Sequence, residues 1–293
     1  MGIDYWLFFG YCILVIDDLN ILCFNGVGMN ILVIDTSSKY FYLAIAEDDK
    51  IKVTICRPSG RELSRMIIPL IEKALKKANL SLKDIDCFAC GLGPGSFTGL
   101  RVGLAVIKGF AFSLNKPVVG IVSLDCLAGS QSDFTGYVCP VVDARRSLVY
   151  SAIYRAKNGI LKRKGRYLLV PLKELFTKLK GRAKIIFTGD GLSLYRGDIE
   201  KELGSRAHFA DEGFWYPRPE NLLKLAREKI RNREIADLDT LVPFYMYPKE
   251  CQIVNNRIPN KLLLNETFMP RRRRGTSKHE NNQSPIINNQ IID

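Results

Sequence analysis

Gly93-Pro94-Gly95-Ser96-Phe97-Thr98-Gly99-Leu100-Arg101-Val102-Gly103 joins an apolar run, Cys87–Leu92, to a helix near Thr98–Leu114, and the fold is read outward from that strand, turn and helix. From Leu100 to Leu114 the helix carries two charges, Arg101 and Lys108. A helix that is apolar nearly all round must be covered on more than one side. Leu100, Leu104, Ile107 and Leu114 can lie on a sheet. Gly99, Gly103, Val106 and Phe110 form a second side, where the glycines let another backbone come close. Glycine inside a helix costs about 1 kcal/mol against alanine, so close packing must offset it. Two coverings fit this pattern: the neighbouring helix 61–78, or a partner protein lodged between the two helices. In the turn, Gly93, Gly95 and Ser96 offer N–H groups to an anion at a helix N-terminus. No Lys-Ser/Thr pair follows the glycines, so this is not a Walker loop, and it reads as a capped tight turn.

Upstream, Asn30–Thr36, Tyr40–Ala46 and Ile51–Cys56 are three strands in quick succession, an antiparallel meander. Ser59-Gly60-Arg61-Glu62 has the spacing of a capping box. The helix it is expected to open places Leu63, Met66, Ile67, Leu70, Ile71, Ala74 and Leu75 on one face. Pro69 should kink that helix, and Asn79 suits a left-handed stop. Downstream, Pro117–Val122 is a strand and Ser123-Leu124-Asp125 starts a short helix. Strands at Tyr137–Val142, Leu148–Tyr154, Arg166–Val170 and Lys184–Thr188 follow, with helices near Leu172–Leu179 and Glu220–Arg231. Strand clusters alternating with helices, twice over, predict an N-terminal lobe at 29–135 and a C-terminal lobe at 136–250. The stretch 1–28 is expected to be a non-native or disordered extension before a functional start at Met29, the alternative being an extra β-strand paired on the sheet, and 251–293 a disordered low-complexity tail around Arg271-Arg272-Arg273-Arg274.

Of 293 residues, 47% are hydrophobic and 25% charged, which is globular composition. There are two histidines, His208 and His279, and the second falls in the tail. A metal site built on two histidines of one folded chain is therefore excluded. Eight cysteines in a chain this long do not make a disulfide framework. Cys87 and Cys90 have CxxC spacing, yet on a strand residues three apart face opposite sides, so both read as core thiols. The formal charge is +13, and it has an address: residues 145–184 hold thirteen Lys or Arg against one acid, Glu174. A lobe this basic can hold RNA backbone, with Lys162, Arg163 and Lys164 as the RNA-facing candidates, or it is simply well solvated.

Ile34-Asp35-Thr36-Ser37-Ser38, the glycine-rich stretch 93–103, Ser123-Leu124-Asp125, Val142-Asp143-Ala144-Arg145 and Pro243-Phe244-Tyr245 together resemble the TsaB family over about 29–250. The resemblance implies a two-lobed actin-like, sugar-kinase-like (ASKHA) α/β fold with mixed sheets flanked by helices. It implies a cytoplasmic, noncatalytic dimerisation subunit, not a membrane protein. That subunit would bind and activate a TsaD-like transferase, which threonylcarbamoylates the adenosine beside the anticodon of tRNA. TsaD holds a metal by histidines on its equivalent of helix 61–78, and here that helix has none. ATP and a metal ion are then expected on partner subunits, a TsaE-like ATPase among them, and this chain would bind neither cofactor itself. tRNA would be reached through the complex, and a homodimer would form when the partner is absent. The implied partner interface is the surface of the two helices: Leu63, Met66, Ile67, Leu70, Ile71, Gly99, Gly103, Val106 and Phe110. On that reading Gly103→Trp abolishes association and leaves the monomer folded. Asp35, Thr36 and Ser37 stand where actin-like ATPases place a phosphate-contacting hairpin, and with Gly93, Gly95 and Ser96 they are the cofactor-binding candidates. Gly189-Asp190-Gly191 resembles their adenosine-side glycines. Asp143-Ala144-Arg145 departs from their Asp-x-Gly, because the alanine Cβ crowds a phosphate. Two other functions remain: a stand-alone actin-like ATPase or small-molecule kinase, and an RNA-binding module.

Overall fold

Apolar residues fill both faces of the first strand, β1 (Asn30–Asp35), so it must lie inside a sheet covered on two sides. The computed structural model describes residues 28–60 and 62–247 and puts it there. β1 pairs antiparallel with β2 (Tyr40–Glu47), and β2 with β3 (Lys50–Pro58). On its other edge β1 pairs parallel with β4 (Cys87–Gly93), and β4 with β5 (Val118–Val122). The order is β3-β2-β1-β4-β5.

One face of this sheet, with Leu32, Ile34, Phe41 and Phe88, is covered by α1 (Leu63–Ala78) and α2 (Phe97–Leu114). The other face, with Ile31, Val33, Cys87 and Ala89, is covered by α6 (Pro219–Arg231) through Leu222, Leu223, Ala226 and Ile230. Cys87 and Cys90 thus lie in opposite cores. Burial pushes the Cys87 thiol up to about 12 and raises Cys90 as well, so both are inert apolar filling.

The second sheet repeats the plan. β6 (Gly136–Asp143) stands in the place of β1, with β11 (Ile185–Thr188) and β12 (Ala207–Phe209) added in parallel on one edge. On the other edge β6 carries two partners. Gly136–Val138 pair with β8 (Tyr154–Lys157), and Val141–Asp143 with β7 (Leu148–Ser151). β9 (Ile160–Arg163) and β10 (Leu168–Pro171) extend these. The expected single strand Leu148–Tyr154 is therefore two, broken at Ala152-Ile153, where the Ile153 carbonyl accepts from the Lys164 N–H at 2.7 Å. α4 (Leu172–Lys178) and α5 (Leu192–Leu203) pack on this sheet. Antiparallel strands on one edge and parallel strands on the other, in the same order twice, make this the two-lobed actin-like α/β fold.

Three local expectations are corrected. Ser59 and Glu62 do not form a capping box: Glu62 is the N-cap without a side-chain cap bond, and its carboxylate holds Arg65 instead. A box of this kind forms at Ser81, whose N–H and hydroxyl both donate to Asp84 at 2.7 Å. α5 adds a helix to those expected, because its buried Leu192, Ile199 and Leu203 are too sparse to show a helical period. Nor is 136–250 one block of the second lobe. α6 returns to the first sheet, and the strap 236–245 follows it there, with Leu241 in the first core and the Ala236 N–H bonded to the Val118 carbonyl at 2.8 Å. The expectations for 1–27 and 248–293 fall outside the described residues.

Candidate functional site

The cofactor-binding candidates meet at one junction, but they are turned on one another. Asp35 is fully buried. Its Oδ1 accepts from the Ser37 N–H at 2.9 Å and the Ser37 hydroxyl at 2.7 Å, and its Oδ2 from the Ser123 hydroxyl at 3.0 Å. Burial outweighs these bonds and holds the carboxyl above the usual carboxylate range. Thr36 is also fully buried, and Ser37 nearly so. The Ser37 carbonyl accepts from the Ser96 N–H at 2.7 Å and lies against Gly95, in the space an anion would need. The Ser96 hydroxyl is used too, as the cap of α2, accepting from the Gly99 N–H at 3.2 Å. Gly93 is buried. At the site expected at Asp35, Thr36, Ser37, Gly93, Gly95 and Ser96, the side chains of Asp35, Ser37 and Ser96 are bonded within the hairpin, to Ser123 and to the start of α2, while the buried Thr36 hydroxyl has no hydrogen-bond partner among the described residues. The reading as a capped tight turn describes what is seen.

The matching junction of the second lobe is open only beyond Ala144: Ala144 is buried and its carbonyl accepts from the Tyr247 hydroxyl at 2.8 Å, while Arg145, Arg146 and Ser147 are exposed. The Asp143 N–H donates to Asp190 Oδ1 at 3.3 Å, and Asp143 pairs with Arg145 at 3.7 Å. Burial, and to a lesser degree the Asp143 charge, raise the Asp190 carboxyl. Gly191 donates its N–H to the Val141 carbonyl at 3.0 Å, so these glycines serve strand packing.

The helix surface differs from the expected one. Leu63, Ile67 and Ile71 are buried against the chain's own sheet. A Cβ on Gly99 would strike the Thr36 carbonyl, and one on Gly103 the Thr36 side chain. The glycines therefore admit the hairpin of this chain, neither α1 nor a partner. Val106 and Phe110 are half-buried at the edge of the core, as are Met66 and Leu70. The open side of α2 is rotated by roughly 100° from the expected one. There Ala105, Gly109 and Phe112 are exposed, Phe112 at 82%, and nothing lies within 4 Å of a Cβ built on Gly109. On α1, Ile68 is 45% exposed. By length and composition alone α2 could cross a bilayer, but Leu100, Leu104, Ile107 and Ala111 belong to the sheet's core.

Sequence reasoning missed two sets of contacts. The strap holds α2 along a third side: Lys108 Nζ donates to the Leu241 carbonyl at 3.2 Å, and Arg101 Nε to the Tyr245 hydroxyl at 2.9 Å. The Arg101 guanidinium also lies 3.8 Å from the Phe97 ring centre. Asp125, on α3 (Ser123–Gly129), accepts from the Tyr154 and Tyr167 hydroxyls at 2.6 Å each and so ties the two lobes. Burial raises both phenols well above their ordinary range, with Asp125 adding to it. The RNA-facing candidates Lys162, Arg163 and Lys164 are all exposed, and Arg163 also lies over the Tyr167 ring at 3.9 Å, beside this tie. No three His, Cys, Asp or Glu side chains group as a metal site would require, among the described residues.

A family model described as TsaD, tRNA N6-adenosine threonylcarbamoyltransferase, matches residues 56–253. The tRNA threonylcarbamoyladenosine biosynthesis protein TsaB of Bacillus subtilis (strain 168) is 32% identical over 225 residues, covering 76% of this chain and 96% of that protein. TsaB of Escherichia coli (strain K12) is 35% identical over 137 residues, 45% of this chain and 58% of its own length. The solved structure of YeaZ from Pseudomonas aeruginosa matches in fold with a TM-score of 0.65 at 24% identity, over 74% of this chain and all of that one.

Proposed function

The chain belongs to the TsaB family of tRNA threonylcarbamoyladenosine biosynthesis proteins, and from that premise we propose that it is a noncatalytic subunit that binds and activates a TsaD-like threonylcarbamoyltransferase. One observation carries this reading. The junction where an ATPase of this fold would do chemistry is closed on itself, while the open side of α1 and α2 presents apolar groups, Ile68, Ala105 and Phe112, to a second protein. Gly109, which has nothing beside it, lets that protein's backbone come close. Aromatic and other apolar groups are enriched in the buried centre of protein–protein interfaces. The N-terminal lobe, 29–135, supplies this surface, and the transferase supplies metal, nucleotide and reaction. The same surface would pair two copies of this chain when the transferase is missing.

The test is reconstitution with a TsaD-like transferase, a TsaE-like ATPase, threonylcarbamoyl-adenylate and tRNA, with each protein omitted in turn. Gly109→Arg and Phe112→Glu are expected to weaken association with the transferase about 100-fold, the scale of a hot-spot loss, and to lower tRNA modification in parallel. Both sites are exposed, so Phe112→Glu should unfold thermally near the parent, and Gly109→Arg at or somewhat above it, since it replaces a helix-interior glycine. Unimpaired association would sink the surface. ATP turnover at an enzyme-like rate by the isolated chain would favour the kinase reading instead.

A further inference from the structure

We propose that a row of basic residues across the second lobe, Lys162, Arg155, Arg182 and Arg206, is a binding site for the phosphodiester backbone of tRNA. The choice of tRNA as the polyanion rests on the proposed function, and the row itself rests on the strand register. Tyr137 of β6 stands opposite Arg155 of β8, and Arg155 opposite Lys162 of β9, so the three side chains share one face. From the other side comes Arg182, at the end of the segment after α4. The Arg155 and Arg182 guanidinium groups both lie over the Tyr137 ring, at 4.9 and 5.0 Å from its centre. Arg206 is joined on by its hydrogen bond to the Arg182 carbonyl at 3.3 Å.

No acid answers this row. None of the four forms an ion pair among the described residues, and Glu174, the sole acid between 145 and 184, is taken by Lys178 at 3.2 Å. Like charges directly opposite on a ladder destabilise the sheet, and a merely solvated surface does not require them there. The Tyr137 ring holds two of the cations in place through its π face, which lowers the cost of arranging them for a ligand. Arg182 is half-buried and its guanidinium donates to the Lys178 carbonyl, which fixes it beside Tyr137 toward the inner end of the row, while Lys162 stands exposed at the outer end. A polyanion with closely spaced charges fits an unpaired line of cations on neighbouring strands. Arg163, next to Lys162 in sequence, points to the opposite face and Tyr167, which limits the site to one side of the hairpin.

The experiment measures tRNA binding by the full chain, alone and with the transferase, from 50 to 300 mM salt. Arg155→Glu with Lys162→Glu is compared with a control of equal charge change on the same lobe, Lys173→Glu with Lys201→Glu. The row variant is expected to lose at least about tenfold in affinity near 100 mM salt, and its slope of log affinity against log salt to fall by about 2, one for each lost phosphate contact. The control should keep both. Arg155→Gln with Lys162→Gln repeats the comparison if the glutamate variant fails to fold, and should lose affinity in the same direction. Unchanged affinity and slope in the row variants would overturn the proposal, as would an equal loss in the control. Row-dependent binding to phosphatidylserine vesicles with no tRNA binding would overturn it in favour of a membrane surface. Association with the transferase is measured separately. Row-dependent tRNA binding without that association removes the partner reading and leaves the row standing.

Discussion

The hairpin Asp35-Thr36-Ser37 leaves the end of β1, and Asp143-Ala144-Arg145 leaves the end of β6, the strand in the matching place of the second sheet. Both begin with a carboxylate followed by small or polar groups, and in sequence they look like two versions of one device. In space they differ. The first is sealed: Asp35 and Thr36 have no exposed surface, and Ser37 is bonded to Asp35 and to the Gly-Pro-Gly turn. The second stands open, with Arg145, Arg146 and Ser147 exposed and all three in left-handed backbone, φ 65, 52 and 59. A loop that must grip a phosphate needs free N–H groups and room for an anion. In the first lobe that loop is a packing joint against the start of α2, where Thr36 and Ser37 fill the space beside Gly95, Gly99 and Gly103.

The largest effect should come from forcing the sealed joint open. Gly103→Trp puts a side chain where the Thr36 side chain already sits, with β1 behind it. Overpacking of a core usually costs 1–3 kcal/mol, and a ring driven into a fully buried hairpin should exceed about 3 kcal/mol, enough to unfold a marginal domain. Urea unfolding and gel filtration of the isolated chain would show it. A variant that stays folded and loses only its partner would restore Gly103 to the partner surface and reverse the comparison between the hairpins.

That reversal marks where the sequence stopped being readable. The strand–turn–helix at 87–114, the meander before it and the two-lobed fold could be read because hydrophobic period and glycine placement are local signals. Which body fills the space beside Gly99 and Gly103 is not local: Thr36 is more than sixty residues away, and a glycine looks the same whether its own chain or another approaches. The same limit hid Asp125, which stands in a motif with no visible task until two tyrosine hydroxyls from the other lobe close on it. It hid the strap as well, because 236–247 has no period to read and acts through single contacts such as Arg101 with Tyr245. In the basic segment composition gave the amount of charge, but strand register decided which residues stand together, placing Lys162 beside Arg155 and Arg163 on the opposite face with Tyr167.

A smaller effect separates the hairpins by pH. Burial raises the Asp35 carboxyl in the folded chain above its unfolded value. The native state then keeps this proton to higher pH than the unfolded chain does. Its contribution to stability is full below the unfolded value near 4 and is lost as pH rises through the folded value. Asp35→Asn keeps an acceptor for Ser37 and offers a donor to Ser123, with no charge to bury. Relative to the parent, it should gain stability with rising pH above about 4, with a slope of at most about 1.4 kcal/mol per pH unit. Urea midpoints between pH 4 and 8 measure this. Parallel curves for parent and variant would mean that Asp35 is ionised without penalty, and that the joint is less sealed than its hydrogen bonds suggest.

The smallest effect belongs to the open hairpin. Left-handed backbone costs an L-residue roughly 1–2 kcal/mol, and Ser147 takes that conformation with its side chain in solvent. Glycine adopts it freely, but loses about 0.5–1 kcal/mol more on folding because its unfolded chain is more mobile. The two terms partly cancel, leaving Ser147→Gly a net gain between about 0 and about 1.5 kcal/mol, read from the urea midpoint at constant m-value. Leu148 N–H closes this turn on the Arg145 carbonyl at 3.0 Å and Ala144 N–H returns to the Leu148 carbonyl at 3.0 Å, so the backbone has its own reasons to stay in place without the serine. A loss of stability instead would mean that the Ser147 side chain holds the loop. The open hairpin would then serve the fold no less than the sealed one does, and the contrast between the lobes would rest on exposure alone.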